Sequence, residues 1–133
     1  MDDLVQWLGQ QLDEDERIAE AASPGPWRPN EESDEVLAVD GITVADGFAL
    51  SGRQLRATTE HIARHDPARV LREVAVTRRA IESFERCSYS VGTAPHEDMR
   101  NVALAKVDTW RFVLRLRALS YADWPGYKEA WRP

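Results

Sequence analysis

Leu4, Trp7, Leu8, Leu12, Ile18, Ala19 and Ala22 recur at three- and four-residue spacings, with Asp, Glu and Gln between them. That period predicts an amphipathic helix over about 2–22, one face apolar and the other acidic. Asp2 and Asp3 stand at its positive end, where carboxylates complement the helix dipole. Ser23-Pro24-Gly25-Pro26 stops it, because two prolines and a glycine cannot continue the hydrogen-bond ladder.

The period then changes from helical to alternating. Val36-Leu37-Ala38-Val39 and Ile42-Thr43-Val44-Ala45 flank Asp40-Gly41, a dipeptide suited to a two-residue hairpin turn. A lone hairpin is marginal in water, so a third strand is expected, and Trp27-Arg28 is the nearest candidate. Asn30-Glu31-Glu32-Ser33-Asp34 reads as a polar loop and 47–52 as a flexible connection.

Helical spacing resumes at about 55–65. Asp66-Pro67 restarts the chain as a further helix, Asp66 as N-cap and Pro67 at the first helical position, where a missing N–H costs nothing. Val70, Leu71, Val74, Ile81 and Phe84 mark its apolar face, and Arg69, Arg72, Arg79 and Arg86 its wet one. Residues 87–95 read as a Ser/Gly/Pro loop with Thr93 as cap. A last helix over about 95–119 presents Met99, Val102, Ala103, Val107, Trp110, Val113 and Leu114. The predicted class is therefore α+β, mainly helical, with a small antiparallel hairpin or sheet near 27–45. Its organisation is one domain over 1–133: a helix in 1–22, a hairpin region in 27–46, two helices in 54–86 joined at Asp66-Pro67, a helix in 95–119 and an aromatic tail in 120–133.

Length and composition agree with this picture. A chain of 133 residues, 43% hydrophobic and 30% charged, is enough for one core and too apolar for wholesale disorder. No run reaches the roughly 18 apolar residues of a membrane helix. The acidic N-terminus does not resemble a basic secretory leader, and the single cysteine, Cys87, cannot form an internal disulfide. A cytoplasmic location is the expectation. The net charge of −6 conceals an asymmetry: residues 1–35 carry −9 and the rest +3. An acidic solvated helix face accounts for this, and so would a surface that steers a partner. Lysine occurs only at Lys106 and Lys128; the arginine, alanine and aspartate bias suggests a high-GC genome.

Three blocks, DDLVQWLGQQLDEDERIAEAASPGPWR, EHIARHDPARVLREV and LSYADWPGYKEAWRP, resemble an uncharacterised domain-of-unknown-function family of small actinobacterial and actinophage proteins. They cover about half the chain. The resemblance implies membership but no activity, substrate or catalytic residue. Many members of that family carry a paired Cys-x-x-Cys after the HDPARVL segment. Here the corresponding region holds only Cys87 and His96, which excludes a four-thiolate zinc site.

Several constellations carry candidate chemistry. His61 and His65, four apart on a predicted helix, share a face at a workable metal spacing. With Cys87 and His96 they form a four-ligand set suited to zinc. The competing reading has His65 facing carbonyls at a helix end and Cys87 as a small packed residue. His65-Asp66 echoes metal phosphohydrolases, but Asp66 already serves as a cap. No nucleotide-binding glycine loop or nucleophile elbow occurs. Arg72, Arg79 and Arg86 repeat at seven and could meet phosphates; Glu73, Glu82 and Glu85 interleave, and the negative overall charge makes nucleic acid an unfavoured partner. Five tryptophans fall in this short chain. Trp7 and Trp110 sit on apolar faces and read as core. Trp124, Tyr127 and Trp131 either pack the C-terminus across the helices or offer an aromatic patch to a protein partner. The preferred expectation is a small accessory module without catalysis, which binds another protein or a second copy of itself. A zinc domain or zinc enzyme, and nucleic-acid binding through the arginines, are the alternatives.

Overall fold

Asp2 opens the first helix by accepting the Leu4 N–H on Oδ1 at 2.9 Å, which satisfies one of the amides a helix start leaves unpaired. In the computed structural model, which describes residues 2–47 and 51–133, this helix is α1 (Asp3–Ala21). It is followed among the described residues by strands β1 (Arg28–Pro29), β2 (Glu35–Leu37) and β3 (Thr43–Asp46). Helices α2 (Gly52–Arg64), α3 (Pro67–Thr93) and α4 (Glu97–Leu119) follow, then a short 3-10 turn, Glu129–Trp131. The α+β class expected from the sequence is the one observed. No helix among the described residues is long and apolar enough to cross a membrane. The chain divides into two compact units, one comprising the residues up to Asp13 with Ala75–Pro133, the other Glu14–Val74.

The Glu14–Val74 unit contains the sheet, ordered β1-β2-β3 and antiparallel throughout. The predicted edge strand forms one residue later than Trp27-Arg28: Arg28 pairs with Leu37 and Pro29 with Val36. Proline suits this place, since an edge position needs no donor on its open side. The hairpin turn also differs from the two-residue expectation. Ala38 N–H donates to Ile42 O at 2.9 Å and Gly41 N–H to Ala38 O at 2.9 Å, so three residues, 39–41, make the loop. Gly41 has φ +84°, the left-handed position that such a loop reserves for glycine. Asp40 caps the return by accepting the Ile42 N–H at 3.1 Å. The pairing then slips by one residue between Val36 and Leu37. Asn30 organises the preceding loop, its Oδ1 accepting the N–H groups of Asp34 and Glu35 at 3.0 Å each.

Helix α2 packs on β1 and β2, burying Ala63 and Thr59, while Val36 and Ala38 are buried from the sheet side. Thr59 satisfies its hydroxyl on Leu55 O at 2.8 Å. Ile18, expected on the apolar face of α1, is instead exposed. The connection over 47–52 lies partly outside the described residues.

Asp66 behaves as its place before proline predicts. It is buried, and its Oδ1 accepts the Arg69 N–H at 2.8 Å, the third residue of α3. Oδ2 accepts the Trp27 N–H at 2.9 Å, tying the segment after α1 to the start of α3.

In the other unit the largest departure from expectation is the length of α3. Residues 87–93, read as loop, continue the helix to Thr93. Ser88, Ser90 and Thr93 donate their hydroxyls to Phe84 O, Arg86 O and Tyr89 O, each four residues back, at 2.9, 3.0 and 3.1 Å. The groups that usually compete with a helix are thereby engaged inside it. The connection shortens to 94–96, and Thr93 does not cap the next helix; His96 holds the N-cap place with extended backbone and no side-chain cap bond. The core here comprises Leu4, Trp7, Leu8 and Leu12 of α1, Thr77, Ala80 and Phe84 of α3, and Ala103, Val107, Leu114 and Ala118 of α4.

Candidate functional site

The aromatic tail closes around Trp7. Tyr121, Tyr127 and Trp131 place their ring centroids 6.3, 5.7 and 5.3 Å from that of Trp7, the two tyrosines edge-on. Such edge contacts match the positive ring rim to the negative face. Trp7 Nε1–H donates to Pro125 O at 3.1 Å. Gly126 makes this approach possible: its φ is +89°, and a Cβ there would lie 2.6 Å from Trp7 Nε1. Arg115 holds the end of the chain, donating to Trp131 O, Ala130 O and Arg132 O at 2.9, 3.0 and 2.8 Å. Lys128 Nζ donates to Asp3 Oδ2 at 2.8 Å, and this hydrogen bond and the ammonium charge hold the Asp3 carboxyl below its usual range. Arg132 does the same to Glu129. Of the three aromatic residues named as partner-binding candidates, Tyr127 and Trp131 are therefore half-buried in the cluster, while Trp124 is 53% exposed.

The four metal-ligand candidates separate by unit. His61 and His65 lie exposed on α2 and at its end, with ring centroids 4.3 Å apart. His65 Nδ1–H donates to His61 O at 2.7 Å, the helix-end carbonyl contact that competed with the metal reading. Cys87 is half-buried on α3, and His96 is exposed ahead of α4. Among the described residues no three His, Cys, Asp or Glu side chains are grouped as a metal ion requires. Arg72, Arg79 and Arg86 are all exposed on α3.

The feature sequence reasoning missed is the second face of α4. Ala103, Val107, Leu114 and Ala118 repeat at four and seven and are buried, so one narrow stripe of the helix meets the core. Phe112, Leu116 and Leu119 lie about half a turn round from that stripe, at spacings of four and three. They are 51%, 46% and 36% exposed. Ala105 and Thr109 extend the same face toward the N-terminus, both exposed, with the Thr109 hydroxyl turned back to Ala105 O at 3.0 Å. Met99 and Val102, expected in the core, are exposed as well. The signal was present: apolar residues surround α4 from Val102 to Leu119, a wider spread than one buried face can absorb.

The chain belongs to a family of unknown function, DUF6221, whose model matches residues 1–133. No curated protein and no solved structure matches it.

Proposed function

We propose that this protein is a non-catalytic interaction module that pairs with a second copy of itself through the outer face of α4. The observation that carries the reading is the exposed row Phe112, Leu116 and Leu119 on a helix whose opposite side is already buried. Contiguous exposed apolar surface of this kind marks interaction sites.

The row is self-complementary. With two α4 helices antiparallel about Phe112, Leu119 of one copy falls level with Ala105 of the other, and Leu116 within one residue of Thr109. Large side chains then meet small ones on both sides of a two-fold axis, as an isologous interface requires. The antiparallel arrangement also opposes the helix dipoles favourably. Trp124, five residues beyond Leu119 and exposed, supplies an aromatic anchor at each end. One helix face buries less surface than a permanent dimer uses, so micromolar association is the expectation.

Sedimentation equilibrium across micromolar to millimolar protein tests this. The mass is expected to rise from one chain toward two with concentration. The pair Phe112→Asp and Leu116→Asp is expected to hold it at one chain while circular dichroism retains the helical signal. A wild-type protein that stays monomeric to millimolar concentration, or a double variant that dimerises equally well, overturns the reading.

A further inference from the structure

The groove between the second half of α3 and the first half of α4 is separate from both the aromatic tail and the outer α4 row. It holds about 630 Å3, and the apolar side chains of Met99, Val102 and Trp110 form much of its wall. Small-molecule sites commonly enclose about 300–1,000 Å3 with mostly apolar walls and a few polar groups. Two cations line it, Arg86 from α3 and Lys106 from α4, and no aspartate or glutamate does. Neither cation forms a salt bridge among the described residues, whereas Arg17, Arg69, Arg78, Arg111, Lys128 and Arg132 all do. In a chain of net charge −6, an acid-free apolar groove with two unpaired cations selects by both shape and sign.

We infer that this groove binds an organic carboxylate with an apolar body, the carboxylate between Arg86 and Lys106 and the body along Met99, Val102 and Trp110. Ionised donors facing an ionised acceptor make the strong class of hydrogen bond. The apolar body gains by leaving water. A neutral molecule of the same shape forgoes the first term, and an inorganic anion the second.

Cys87 also lines the groove and is the single thiol of the chain, so its accessibility reports occupancy at one known place. The probe is decanoate, with decanol as the uncharged control and inorganic phosphate as the control without an apolar body. Decanoate is expected to slow alkylation of Cys87 by iodoacetamide in a saturable way, and phosphate to leave the rate unchanged. Decanol is expected to require at least about tenfold higher concentration, the factor that loss of a charge-assisted contact implies. The double variant Arg86→Gln, Lys106→Gln replaces two exposed side chains, so the fold is kept; it is expected to shift decanoate protection upward by a similar factor and leave that of decanol alone. Backbone amide shifts confined to residues around Val102 and Lys106 are expected in the same titration. Unchanged alkylation, equal protection by decanol, or full protection in the double variant would each overturn the assignment.

Discussion

Asp66 joins two pieces of backbone with one carboxylate. Its oxygens receive the N–H of Arg69 and the N–H of Trp27, so truncation removes a helix cap and leaves a part-buried donor without its acceptor. Asp66→Ala is expected to cost about 2–3 kcal/mol, the cap and the orphaned donor each contributing about 1 or more. Asp66→Asn keeps one amide oxygen and is expected to restore roughly half of that in urea unfolding. If Asp66→Ala costs less than about 0.5 kcal/mol, the bridge contributes no more than a surface site. Gly25 reports the same crowding from the other side, because a Cβ there would lie 2.7 Å from Asp66 Oδ2 and 2.9 Å from Ala68 Cβ. Tyr127 presents the reverse case. Its hydroxyl is buried with no hydrogen-bond partner among the described residues, and an unsatisfied buried hydroxyl is a cost. Tyr127→Phe is therefore expected to leave stability unchanged or raise it by about 1 kcal/mol, since the ring contacts with Trp7 and Trp131 persist. A clear fall in the unfolding midpoint would show that the hydroxyl is satisfied in solution.

At the scale of elements, α3 invites a test at Gly92. It lies inside the helix, and a Cβ there would meet nothing within 4 Å. Gly92→Ala is expected to stabilise by about 0.5–1 kcal/mol, since it removes backbone freedom from the unfolded chain without strain. A loss of stability would mean that residues 87–93 are not helical in solution, as the sequence reading had them. That reading recovered α1, the restart at Asp66-Pro67 and the Asp40-Gly41 hairpin because each has a local cause: a stripe, a cap, a left-handed glycine. It missed the end of α3 because Ser, Thr and Gly are ambiguous residues. Their hydroxyls serve a loop or a helix equally well until the i−4 carbonyls are present to receive them. The outer row of α4 was hidden for a different reason. Which of two apolar faces a helix buries depends on what packs against it, and periodicity alone does not say. His61 and His65 were legible as one face of a helix, and their closeness to each other followed. The groove at Cys87 was not legible, since it depends on α3 and α4 lying side by side.

For the whole molecule, acid tests the link between α1 and the tail. Asp3 has its carboxyl held below the ordinary value of 3.8 by the hydrogen bond and charge of Lys128. A lowered folded value means that the unfolded chain takes up the proton first. The contribution is therefore fully present above about pH 4 and disappears as pH falls through the folded value. Asp3→Asn is expected to lower the thermal midpoint only slightly at pH 7, because the pair is exposed and solvent screens it, and to approach wild type as pH falls through the folded value. A difference that did not shrink as the folded carboxyl is protonated would assign the effect to something other than the ion pair. The Trp7 cluster also has a meaning in time. Trp7 and the carbonyl of Pro125 that it contacts are 118 positions apart, and every ring around it comes from residues 121–131. On a ribosome adding about 5–20 residues per second, the indole waits several seconds for its neighbours. The Glu14–Val74 unit is contiguous in sequence and is complete long before then. The nascent chain thus carries that whole segment and a tryptophan without its ring partners together, until residues 121–131 have emerged to cover it.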